Sequence, residues 1–169
     1  MKKNALFAAA LCFAGSFQAA LSQTDAGQEK MNLEQNKAIV RGYMTNEVLS
    51  KGDWAALTSY FSEDVVFNNS RDVKQHLVRM RALRSAFPDL HLTIEDQIAE
   101  GDRVVTRVTF RGTHQGEFNG IPPTGKPVEY SGIAIDRIAD GKVVEMWHLA
   151  NTLGLLEQIR PAPSPAPKK

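Results

Sequence analysis

The chain has 169 residues, with 20 basic and 19 acidic side chains, a formal net charge of +1 and 43% hydrophobic residues. That size supports one domain with one core, and so even a charge balance points to neither nucleic acid nor an anionic membrane as partner. The single cysteine, Cys12, excludes an intrachain disulfide and a thiolate metal centre.

In chain order, Lys2 and Lys3 precede "ALFAAALCFAG", an apolar run too short to span a bilayer, and Ala20-Leu21-Ser22 places small residues at −3 and −1 before Gln23. This pattern predicts a secretory signal peptide over 1–22 and therefore a periplasmic or secreted mature protein. Its removal takes Lys2, Lys3 and Cys12 with it and brings the net charge near −1. Residues 23–31 read as a short disordered leader, 32–159 as the domain proper, and the proline-alternating "RPAPSPAPKK" of 160–169 as an extended, solvated tail.

Within the domain, "NLEQNKAIVRGYMTNEVLSKGD" spaces Leu33, Ile39, Tyr43 and Val48 for one apolar helical stripe, stopped at Gly52. Asp53 can cap a short second helix, "WAALTSYF". A short strand, "DVVFNN", follows. The next helix, "RDVKQHLVRMRALRSAFPD", turns Val73, Leu77, Met80, Leu83 and Phe87 inward, with its arginines mostly outward, and stops at Pro88. From Leu90 the period changes to two. One hairpin turns at Glu100-Gly101-Asp102 and a second at Asp140-Gly141. Between them lies "QGEFNGIPPTGK", a rigid lip rather than a phosphate loop, because it joins two strands and lacks the G-x-x-x-x-G-K-[ST] pattern. A closing helix, "NTLGLLEQI", is capped by Asn151 or Thr152. The order predicts an α+β fold in which helices gather on one face of a curved antiparallel meander around a cavity. Thr106, Val108, Phe110, Gly112 and His114 share the inward face of one strand. His148 shares the inward face of the last strand, and the opposite face is left to solvent or a second subunit.

"GTHQGEFNGIPPTGK", "GDWAALTSYFSEDVVFNN" and "IADGKVVEMWHLANTLGLLEQI" closely resemble the SnoaL-like family of polyketide or ester cyclases, over about 32–159. The resemblance implies a cone-shaped α+β barrel of the nuclear-transport-factor-2-like type, a deep pocket for a small apolar molecule, and frequent homodimers. It also implies intramolecular aldol ring closure without metal or cofactor, with a pocket aspartate late in the last strand as acid/base. Where relatives read roughly E-H-W-D, this chain has Glu145-Met146-Trp147-His148, so His148 takes the aspartate position and Met146 replaces a histidine. A second pocket histidine falls on Ala134, and of a "His-Asn" pair ending the first strand only the asparagine, Asn69, is kept.

The residues themselves leave two readings of His148: a base whose pKa starts near working pH, or an imidazole packed into an apolar wall. Asp136 falls on the same face of the neighbouring strand, and a bulged turn at Gly141 would set Ala134 opposite His148 with Asp136 diagonal to it. It either orients and charges His148 or pairs with Arg137, Arg103 or Arg111. His114 either polarises a substrate carbonyl or braces its loop. Phe110, Tyr130, Met146 and Asn69 complete the expected substrate-binding set. His76 is expected half exposed at the edge of its helix stripe and His91 on the surface. The four histidines have no metal-ligand spacing.

Overall fold

The computed structural model describes residues 7–44 and 53–160. The stop at Gly52 and the proline-alternating tail beyond Arg160 lie outside them. The order is α1 (Phe7–Met44), α2 (Trp54–Ser59), β1 (Phe61–Phe67), α3 (Val73–Ala86), β2 (His91–Glu100), β3 (Arg103–Thr113), β4 (Pro127–Ala139), β5 (Lys142–Ala150) and α4 (Thr152–Ile159). Residues 23–31, expected as an irregular leader, continue α1, and residues 25–31 are exposed along it. Among the described residues no helix is long and apolar enough to cross a membrane.

Side-chain caps start the later helices. Asp53 accepts from the Ala56 amide at 2.9 Å, Asp72 from Gln75 at 2.9 Å and Asn151 from Gly154 at 2.9 Å, each satisfying an amide the helix leaves unpaired. Of the two caps considered for α4, Asn151 serves. The β4–β5 turn has positive φ at Asp140 and Gly141, 50° and 73°, the conformation that matches strand twist in a two-residue hairpin.

The strands form one curved five-stranded sheet in the order β1-β5-β4-β3-β2. The four long strands are an antiparallel meander, and β1 adds in parallel beside β5. The expected antiparallel sheet is thus mixed at one edge, because α3 and the meander intervene between β1 and its partner. The sheet is also open, with β1 and β2 as its two edges, rather than a closed barrel.

Alternation sorts the two faces. Val104, Thr106, Val108 and Phe110 of β3 are buried with Val128, Tyr130, Ala134 and Asp136 of β4. Val40, Tyr43 and Met44 of α1, Ala86 at the end of α3, and Leu155 and Ile159 of α4 are buried in the same core. Burial on this scale, at about 25 cal/mol per Å² of apolar surface, holds the helices against the sheet. The outer face leaves Ile98, Val105, Ile133 and Leu149 at 63%, 37%, 49% and 80% exposure, an apolar row crossing four strands.

Candidate functional site

Between the concave face and the helices lies a cavity of about 1110 Å³. Leu57, Val65, Phe110, Tyr130, Met146 and Leu155 line its interior. The exposed Glu63, Lys74, Arg79, Glu117 and Lys142 mark its mouth. Arg79 therefore turns to the cavity edge, while Arg81 lies over the Trp54 ring at 5.7 Å. The "QGEFNGIPPTGK" loop supplies Glu117, Phe118 and Asn119 to the wall. Its tip is closed by paired Phe118–Ile121 backbone bonds of 3.0 and 2.9 Å across Asn119-Gly120, both at positive φ, which accounts for a stiff lip.

His148 is on the cavity wall and is placed by three features. A register shift in β5 between the Arg137↔Glu145 and Ile138↔Val143 pairs brings Ala134 opposite His148, so the bulge lies within β5 rather than at the Gly141 turn where it was expected. Asn68, at φ 47°, grips the His148 backbone from β1, accepting from its amide at 2.8 Å and donating to its carbonyl at 3.2 Å. Gly132 leaves the space the ring needs: a Cβ there would stand 3.1 Å from His148 Nε2 and 3.2 Å from Phe110 Cε2. Phe110 meets the imidazole edge-on at 6.1 Å and stacks on Tyr130 at 4.8 Å. Burial holds the His148 pKa below the usual histidine value, because a low-dielectric wall disfavours the imidazolium. No hydrogen bond joins its ring to another of the described residues, so the nitrogens are left to whatever fills the cavity.

Asp136 does not serve His148. It sits opposite Met146, fully buried, and accepts a 2.9 Å hydrogen bond from the Tyr43 hydroxyl of α1. Its second oxygen has no partner among the described residues. Burial pushes its carboxyl up to about 7, against the opposing pull of the Tyr43 bond, and Tyr43 is in turn raised well above the ordinary phenol value by burial and by the carboxylate. The arginines considered as partners are occupied elsewhere: Arg137 with Glu145 at 3.2 Å, Arg111 with Glu129 at 2.8 Å, and Arg103 beside Asp102 at 3.9 Å. Tyr43 touches the cavity wall, whereas Asp136 stands behind it.

His114 is fully buried and lies away from the cavity lining. Its Nδ1 meets Thr124 Oγ1 at 3.1 Å, its amide donates to Lys126 O at 2.9 Å, and its carbonyl accepts from Gly125 at 2.8 Å. It braces the loop, as one of its two sequence readings had it, through a threonine hydroxyl. Asn69 also lies outside the lining. Its neighbour Asn68 reaches the site instead, because β1 ends at Phe67 and both asparagines turn through positive φ. Phe110, Tyr130 and Met146 line the cavity as expected.

His76 is the residue whose role the sequence reading passed over. It lines the cavity and stacks flat on Phe67, with ring centroids 4.0 Å apart and planes at 5°. Burial, then the nearby His148 and Arg79, hold its pKa down at about 4. The spacing did contain the signal: Val73, His76, Leu77 and Met80 follow i, i+3, i+4, i+7, the positions of one helix face. Among the described residues no cluster of His, Cys, Asp and Glu is arranged to hold a metal ion.

Known proteins place this architecture. The sequence profile of the SnoaL-like polyketide cyclases matches residues 37–159. Among solved structures, AclR from Streptomyces galilaeus, a candidate hydroxylase, is 33% identical with a TM-score of 0.70, over 75% of this chain and 82% of its own. IdmH from Streptomyces antibioticus, a candidate polyketide cyclase, is 28% identical with a TM-score of 0.65, over 74% of this chain and 98% of its own. TsrD from Streptomyces laurentii is 27% identical with a TM-score of 0.66, over 75% and 95%. No functionally curated protein matches the sequence significantly. The chain belongs to the SnoaL-like polyketide cyclase family.

Proposed function

We propose that this protein is an exported acid/base enzyme that needs no cofactor and acts on a small, apolar carbonyl compound, with His148 as the base. The observation that carries the reading is the placing of the His148 imidazole, held at its backbone by Asn68 and fitted over Gly132, with its ring on the wall of a cavity that apolar side chains line. A neutral imidazole in an apolar wall can accept a proton from carbon next to a carbonyl. Closure by aldol addition and isomerisation both follow from that first step, and the same base taking a proton from water instead would give hydrolysis. The cyclase and hydroxylase descriptions of the relatives support chemistry at this cavity, and the signal pattern of residues 1–22 supports a periplasmic or secreted setting. Asp136, bonded to Tyr43 and outside the cavity lining, is a structural carboxyl in this reading rather than a catalytic one. The exposed row of Ile98, Val105, Ile133 and Leu149 supports a homodimer built on the outer face of the sheet.

A non-catalytic carrier of an apolar ligand is the second reading. It is favoured by the lack, among the described residues, of a group hydrogen-bonded to the His148 ring, since an oriented base normally has a partner. The two separate on exchange of α-carbon protons with deuterium, followed by NMR over a panel of small ketones and β-keto esters. The enzyme reading expects exchange by the wild-type protein and its loss in His148→Gln with the thermal midpoint retained. Equal exchange in the two proteins removes His148 from the chemistry, and binding without exchange establishes the carrier.

A further inference from the structure

We infer that His76 is a second substrate-contacting group of this site, a neutral hydrogen-bond donor to the carbonyl oxygen whose neighbouring carbon His148 deprotonates. The inference rests on the reading of His148 as base and adds the group that receives the charge.

Four observations converge on it. His76 and His148 reach the same cavity from opposite supports, α3 and β5. Their placement comes from two consecutive residues: Phe67 stacks under the His76 ring, and Asn68 clamps the His148 backbone. No hydrogen bond ties either ring to another of the described residues, so each has nitrogen atoms left for a ligand. A charge on His148 lowers the proton affinity of His76.

That last point assigns the roles. Two imidazoles facing one apolar cavity do not both carry protons, and Arg79 on the same helix further disfavours a charge on His76. As His148 takes the proton, its imidazolium keeps His76 neutral. A neutral imidazole still has an N–H to donate, and a donor fixed where negative charge develops lowers the barrier. The step balances without an outside reagent. The C–H bond breaks, its proton goes to His148 and its electron pair forms the C=C bond of an enolate. The carbonyl oxygen takes the negative charge and the hydrogen bond from His76. Reprotonation at another carbon, or addition to a second carbonyl, returns the site to its starting state. Lys74, Glu63, Glu117 and Lys142 stand exposed at the mouth, where solvent screens them from this pair.

The test uses 4-nitrophenol, an enolate-like oxygen that changes colour on ionising, with nitrobenzene as the control that lacks the oxygen. His76→Phe keeps a ring to stack on Phe67 and removes the donor, and His76→Gln restores an N–H. The expected result is nitrophenol binding about tenfold weaker in His76→Phe, the weight of one hydrogen bond to a charged oxygen, and within about threefold of wild type in His76→Gln. Nitrobenzene should bind all three proteins equally, which also certifies that the cavity is intact. Nitrophenol bound as tightly by His76→Phe as by the wild type overturns the inference. His148→Gln separates this from the base: bound nitrophenol that still ionises as in the wild type sinks His148 as base while the His76 contact stands.

Discussion

Asp136 provides a sharp test of how this core is built, through the perturbation Asp136→Asn. The carboxyl is fully buried, has one partner at 2.9 Å and an oxygen with none, and burial raises its pKa from 3.8 to about 7. The sign follows from proton counting. Between those two values the unfolded chain has released its proton while the folded chain retains it, so stability falls as pH rises. The full stability is present below the unfolded value, is lost progressively up to about 7, and then levels off. At 1.36 kcal/mol per pH unit the loss is at most on the order of 4 kcal/mol. Asparagine has nearly the same shape, can still accept from Tyr43, and does not titrate. Urea unfolding of both proteins at a series of pH values from 4 to 8.5 measures the difference. The variant should be close to wild type at pH 4 and more stable at pH 8 by up to a few kcal/mol. Parallel stability curves for the two proteins across that range would refute the reasoning and show Asp136 ionised in the fold.

Three more substitutions probe the cavity and the outer face. Gly132→Ala puts a Cβ 3.1 Å from His148 Nε2 and 3.2 Å from Phe110, so the imidazole must shift. α-Proton exchange should fall at least tenfold, and the His148 ring signals should move by NMR while the thermal midpoint stays within a few degrees of wild type. Asn68→Ala removes both hydrogen bonds to the His148 backbone and leaves a Cβ residue at φ 47°. A loss of about 2–3 kcal/mol in chemical denaturation is expected, and a loss below 0.5 kcal/mol would show the clamp to be incidental. Ile133→Glu places a charge in the exposed apolar row of the sheet and should turn the proposed dimer into a monomer by light scattering, with cavity binding of nitrobenzene retained. A dimer that survives this change has its interface elsewhere.

The sequence by itself determined the α+β order, the two hairpins, the helix cap at Asp53, a cap at Asn151 or Thr152, and the assignment of Phe110, Tyr130, Met146 and His148 to the inner face. These are local matters. A period of two or of 3.6, a capping side chain and a Gly-containing turn act within a few residues, so they can be read from a few residues. The pairing of Ala134 with His148 belongs with them, because a hairpin fixes its own register, although the bulge falls within β5 and not at Gly141.

Only the tertiary structure decided who meets whom across elements. Asp136 found Tyr43, 93 positions earlier, and neither an arginine nor His148. Asn68 displaced Asn69 because β1 joins the sheet in parallel beside β5, a pairing no hairpin dictates. His114 and His148 looked alike as inward histidines at strand ends, yet the loop folded over one and left the other open. His76 entered the site because one face of α3 lines the cavity and Phe67 stacks on the ring. Side-chain partnership depends on the three-dimensional packing of distant segments, and patterning specifies a face without specifying what that face will touch.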